Sequence, residues 1–286
     1  MNSLLKSRNY LRVVLMNKMF SMRMLICVMI LFIFHDYLVR DLVQLSKIYD
    51  VGLTPMVFPF LTGNYEFQFV FGLLAVFLFA DVPFFEKWEM PYMNRLGRLW
   101  WVSLHCISIC IISAVYIGIN YLIDLIRIGV HVDFHNDWDR VIFSLANTDL
   151  SEQSTVYVSK AFVNAYTPIQ AFFVTFCFGV FAITIIGFIM FAFSIAINRL
   201  TAICVGIVLC VMPFVALTGK SSGYKYFQYL YYASPLSWIT GDKPAYVGHY
   251  PNRVQMVMAG TAGIVISIVV IYVFVKKKDV LWNMEE

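Results

Sequence analysis

The chain has 286 residues and a formal net charge of +4; 60% of its residues are hydrophobic and only 13% are charged. A water-soluble domain carries about 45–50% apolar and about 25% charged residues, so this composition excludes an ordinary soluble globule and makes lipid the expected solvent. No block of five or six like charges interrupts the sequence, which argues against nucleic-acid binding and leaves the small positive excess to be read as membrane orientation.

Residues 1–23 set Lys6, Arg8, Arg12, Lys18 and Arg23 among Leu4, Leu5, Leu11, Val14, Leu15 and Phe20, without one acid. That pattern predicts an amphipathic helix lying in the membrane interface. A first span follows at about 24–40, apolar until His35 and Asp36, and reads as a signal anchor because no small-residue cleavage site comes after it. Further apolar runs cover about 67–85, 99–126, 168–197, 200–217 and 254–275. Backbone groups in hydrocarbon must be satisfied within the segment, so each run is assigned to helix. The runs are apolar on all sides and too long for the alternating strands of an outer-membrane barrel. The fold class is therefore all-α: a polytopic membrane protein with one transmembrane domain over 1–286, six transmembrane helices and an N-terminal interfacial amphipathic helix.

Basic residues set the expected orientation. Lys87, Arg95 and Arg98, then Arg199, then Lys276, Lys277 and Lys278 crowd the short connections and the C-terminal end. The positive-inside rule places these segments and both termini in the cytoplasm, as an even number of spans requires. Two long segments then lie outside. Residues 127–166 are acidic and polar, with Asp133, His135, Asp137, Asp139, Asp149 and Glu152, whereas 218–253 is rich in Tyr and Trp. Those rings favour the membrane–water boundary, so the second segment is expected to lie against the outer leaflet or dip into it.

No catalytic residue or metal ligand is expected. Cys27, Cys106, Cys110, Cys177, Cys204 and Cys210 all fall in apolar stretches, as small buried side chains do, and none is spaced for a disulfide framework or a metal. Gly219-Lys220-Ser221 is the only fragment of a phosphate-binding loop, but Phe214 stands where that loop needs a glycine. The five histidines form no HExxH pair, and Ser221-Ser222-Gly223 lacks the flanking glycine of a nucleophile elbow. Asp36, Asp81, His105 and Asp124 fall within spans, where an acid costs about 2.5–3.5 kcal/mol on insertion scales. Each is near a predicted span end and is read as a boundary residue that reaches water.

The segment EKWEMPYMNRLGRLWW, residues 86–101, packs acids, a proline, a glycine, two arginines and aromatics between the second and third spans. Its chemistry suits a plain basic turn and a docking helix equally. The whole arrangement resembles the permease subunits of ABC-2 type exporters. A basic helix precedes the first span, Pro91, Arg95, Gly97 and Arg98 follow the second, and Ser234-Pro235-Leu236-Ser237-Trp238 stands ahead of the last. The resemblance implies a coupling segment containing Glu86, Pro91, Arg95, Gly97 and Arg98 that bears on a separate ATPase subunit. It also implies an outer re-entrant region around Ser234, Pro235 and Trp238. By the same resemblance ATP and Mg are bound by the partner ATPase, with no cofactor in this chain, and a second permease chain completes the path in the cytoplasmic membrane of a bacterium. The long segment 127–166 departs from simple members of that family and leaves the substrate open. Two other readings are a membrane immunity or assembly factor acting through the outer segments, and a secondary carrier dependent on Asp36, Asp81 or Asp124.

Overall fold

The computed structural model describes residues 2–83, 97–129, 132–147, 156, 158–221, 225–240 and 250–277. Among these the secondary structure is helical, apart from one isolated bridge between Leu53 and Val132. The main helices are α1 (Asn2–Met19), α2 (Met22–Tyr49), α3 (Phe58–Leu61), α4 (Tyr65–Phe79), α5 (Arg98–Ile128), α6 (Arg140–Asn147), α7 (Lys160–Ala165), α8 (Pro168–Ala196), α9 (Arg199–Ser221), α10 (Leu230–Ala233) and α11 (Arg253–Lys277). Five of them, α2, α5, α8, α9 and α11, are long and apolar enough to cross a membrane.

Local chemistry sets the helix ends. Ser21 caps α2 by accepting from the Met24 amide at 3.3 Å, and Asn64 caps α4 by accepting from Glu66 and Phe67. Thr167 and Gln170 form a reciprocal capping box with Pro168 at the first position of α8. The predicted second span at 67–85 is shorter than its apolar run. The helix ends at Phe79, and Asp81 lies in the turn beyond it. With 15 residues α4 is about 22 Å long, less than the ~30 Å hydrocarbon core. In the other direction α2 continues past the predicted limit of 40 to Tyr49.

Helix α8 is the axis of the bundle. It is apolar all round and packs against α4, α5, α9 and α11, as a helix with no polar face must. Lipid tails are as apolar as leucine, so burial alone does not draw helices together in a membrane; close approach does. Gly260 supplies it where α11 meets α8: a Cβ there would stand 2.8 Å from Ile185 Cδ1 and closer still to the Phe181 ring.

One end of the bundle carries the basic residues at 18, 23, 98, 199, 276 and 277; the other carries an ordered cap. The cap joins two segments far apart in sequence. Asp133 donates its amide to the Leu53 carbonyl at 2.8 Å, and Asp139 Oδ2 accepts from both the amide and hydroxyl of Thr54 at 2.9 Å. The other oxygen of Asp139 accepts from the Ile142 amide and so caps α6. Phe60 sits between Trp138 and Phe162, and Trp138 donates to the Tyr166 carbonyl at 2.6 Å. The long acidic segment is therefore, in its described part, a packed layer.

Replacing Gly260 with Leu should destabilise the α8–α11 contact by about 1–3 kcal/mol through overpacking. Gly263→Leu, where a Cβ meets nothing within 4 Å, should have little effect. Thermal unfolding of the two variants in one detergent checks the contrast.

Candidate functional site

Three polar constellations bind the helices, and each unites residues remote in sequence. The first is at the basic end. Lys18, at the end of α1, contacts the Asp81 carboxylate, and Arg23 Nη1 lies 3.0 Å from the other oxygen of the same acid. The Arg23 guanidinium also stands over the Phe77 ring at 5.8 Å. Lys18 is buried, and Asp81 beside it offsets the cost of its charge. Ser21 donates to the Lys18 carbonyl at 2.7 Å and fixes the corner between α1 and α2. Farther along α1, the Tyr10 hydroxyl meets His105 Nε2 at 3.1 Å, with Trp101 packed on the same imidazole. Ser7, Tyr10, Val14 and Lys18 form the buried side of α1, while Arg8 and Arg12 are exposed.

These contacts flank the segment that the resemblance marks for coupling. Glu86, Pro91 and Arg95 lie outside the described residues. Gly97 adopts φ 87°, a left-handed conformation that favours glycine, and Arg98 begins α5 immediately after it. The end of α4, the corner of α1 and α2, and the start of α5 are thus cross-linked on both sides of 84–96.

The second constellation is a fold-back. After α9 the chain turns through two short 3-10 helices, Lys225–Tyr229 and Pro235–Trp238, separated by α10. Residues 234–240 are all buried. Ser234 donates to the Leu209 carbonyl at 3.1 Å. Leu209 lies twelve residues before the end of α9, so the chain returns roughly 18 Å along that helix. Leu236 packs against Gly72 of α4, where a Cβ would clash with it and stand 3.0 Å from Cys210 Sγ. Trp238 is buried with Ile185 and Met256. Non-helical backbone at such depth needs internal partners. Ser237 donates to Tyr231 and Ser234 carbonyls, Trp238 Nε1 donates to the Tyr231 carbonyl at 2.8 Å, and the Tyr250 hydroxyl donates to the Ser237 carbonyl. Ser234, Pro235 and Trp238 are therefore brought together in one buried plug between α4, α8, α9 and α11.

The third constellation is inside the bundle. His35 Nδ1 lies 2.5 Å from Asp124 Oδ1, and its Nε2 lies 3.1 Å from Asn120 Oδ1; none of the three residues is exposed. Asp124 and His105 thus depart from the sequence expectation of boundary residues that reach water, because each finds its partner on another helix. Asp36 and Asp81 do keep exposed surface, and Asp36 pairs with Arg127 beside the His35 site. His35 carried no signal in sequence beyond ending an apolar run, since its partner is 89 residues away.

An apolar groove of about 660 Å³ runs beside this region, lined by Met56, Val115, Ile119, Leu122, Phe172 and Phe176 among others. Among the described residues no group of three or more His, Cys, Asp or Glu side chains is placed to hold a metal ion. No family model, curated protein or solved structure matches this chain.

Ser237→Ala and Trp238→Phe should each cost about 1 kcal/mol, the usual net worth of a hydrogen bond. The double variant should cost more than their sum, because only it removes both side-chain donors from the buried Tyr231 carbonyl. Thermal unfolding of the three variants measures the cycle.

Proposed function

We propose that the chain is the membrane-spanning permease subunit of an ATP-driven exporter of the ABC-2 type. In this reading α4 is a short second span among six, α1 lies at the cytoplasmic face, and both termini are cytoplasmic. The observation that carries the reading is the fold-back ahead of the last helix: residues 234–240 re-enter the bundle and are held there by their own hydrogen bonds. In this reading a plug at that place closes a path from the cap side, and the basic end receives the partner.

The energy source in this reading is a separate ATPase subunit that binds ATP and Mg. A second permease chain, either a copy or a paralogue, completes the path, and membrane lipid surrounds both. ATPase closure pushes on the coupling segment with Glu86, Pro91, Arg95, Gly97 and Arg98. The push passes into α5 through Arg98 and into α1 and α2 through Asp81, which Lys18 and Arg23 grip. The helices then rock between two packings, and nucleotide selects between them only by binding one better than the other. The apolar groove, with its aromatic and methionine lining, suits an amphipathic cargo such as a peptide or lipid-like molecule.

Co-purification with a genetically neighbouring ATPase tests the pairing, and export by the reconstituted pair tests the role. Arg95→Glu with Arg98→Glu should lower ATP-driven export at least tenfold while the chain still folds. Absence of a complex together with intact export in that variant would refute the coupling role. Transport without ATP would make the chain a secondary carrier, and dependence on 127–166 alone would make it an immunity or assembly factor.

A further inference from the structure

The His35 site can be read hydrogen by hydrogen. Asn120 donates from Nδ2 to the Tyr116 carbonyl at 2.7 Å, which turns its own carbonyl oxygen toward His35 Nε2. That oxygen only accepts, so Nε2 carries a hydrogen. The other ring nitrogen faces Asp124 Oδ1 at 2.5 Å. A hydrogen must lie in this contact too. Without it a nitrogen lone pair would oppose a carboxylate lone pair, and an unpaired anion would sit in an apolar interior. The remaining oxygen, Asp124 Oδ2, is buried and has no hydrogen-bond partner. With no donor facing it, that oxygen costs least when the carboxylate charge is neutralised at Oδ1, by a shared proton or by the imidazolium.

We propose that His35 and Asp124 form a proton-binding site at the contact of α2 with α5, occupied by one shared proton while the helices are packed and emptied when they part. The proposal goes beyond the exporter reading and stands whether or not an ATPase binds. The surroundings do not supply a substitute charge. On α2 and α5 the neighbouring Asp36 and Arg127 neutralise each other, and Tyr121 donates its hydroxyl to the Phe172 carbonyl. From α4 the site meets the edge of Phe67, and the only charged residue of that helix, Glu66, is exposed at its start. Helices α3 and α8 contain no charged residue, and Arg140 of α6 is exposed in the cap.

Proton counts give the sign of the effect. In an unfolded chain above about pH 6.5 histidine is neutral and aspartate ionised, so the pair holds one proton fewer than in the packed state. Between about pH 4 and 6.5 the unfolded histidine is charged and the counts are equal. The contribution of the pair to stability is therefore fully present between about pH 4 and 6.5 and is lost as pH rises above that range. In a transport cycle, movement of α2 away from α5 would release the proton, so alkaline conditions would favour the parted state.

The test compares thermal unfolding of the full chain in lipid nanodiscs from pH 5.5 to 8.5 for the wild type, Asp124→Asn, and the double variant His35→Leu with Asp124→Leu. The asparagine amide donates to Nδ1 without a bound proton, and the leucine pair replaces the polar contact with apolar volume. The expected result is an unfolding constant for the wild type that rises, relative to either variant, by up to about tenfold per pH unit above about pH 6.5. Parallel curves for the wild type and whichever variant folds would overturn the proposal. A complex with the ATPase that forms normally in these variants would separate this outcome from failure of the exporter reading.

Discussion

In a bilayer a polar side chain has no water to turn to, and the structure is organised around that constraint. Among the described residues, buried ionisable groups are answered from a distant part of the chain: His35 by Asp124, His105 by Tyr10, Lys18 by Asp81. Such pairs are weak sources of net stability, because desolvation offsets most of their attraction. Their value is in register. A single residue of slip along α2 or α1 would leave a charge or a ring nitrogen facing hydrocarbon, so the pairs select one alignment among many that are equally apolar.

Close packing fills the space between these polar points. Glycines at 72 and 260 let a neighbouring side chain approach the backbone, which provides dispersion contact where the hydrophobic effect provides none. Gly72 is the clearest case, since it receives Leu236 and so allows non-helical backbone to sit between α4 and α9. The fold-back is stable at that depth only because Ser234, Ser237, Trp238 and Tyr250 satisfy carbonyls that would otherwise be bare.

The two ends of the bundle differ in kind, and this asymmetry underlies the functional reading. The cap end is tied by Asp139, aromatic packing and a plug, which suits a closed face. The basic end joins α1, α2, α4 and α5 through Asp81, Lys18, Arg23 and the Tyr10–His105 contact. A force applied between α4 and α5 would reach α1 and α2 through these contacts rather than dissipate in lipid.

Composition and the length of the apolar runs determined by themselves that the chain is a helical membrane protein, because lipid permits no other use of such segments and their limits follow from hydropathy. The runs at 168–197 and 254–275 match α8 and α11 to within a few residues for that reason. The backbone breaks at Gly97 and at Ser234-Pro235 have local causes, a positive-φ glycine and a proline. The true end of α4 was not legible, because apolar residues continue past Phe79 and hydropathy does not see a turn. Nor was the cap, in which 51–62 pairs with 132–166 through contacts that no local pattern encodes. Only the tertiary structure decided the fates of His35, His105 and Asp124. Their positions near predicted span ends were equally compatible with water and with a partner, and the choice depends on which helix stands opposite, a relation between residues far apart in the chain.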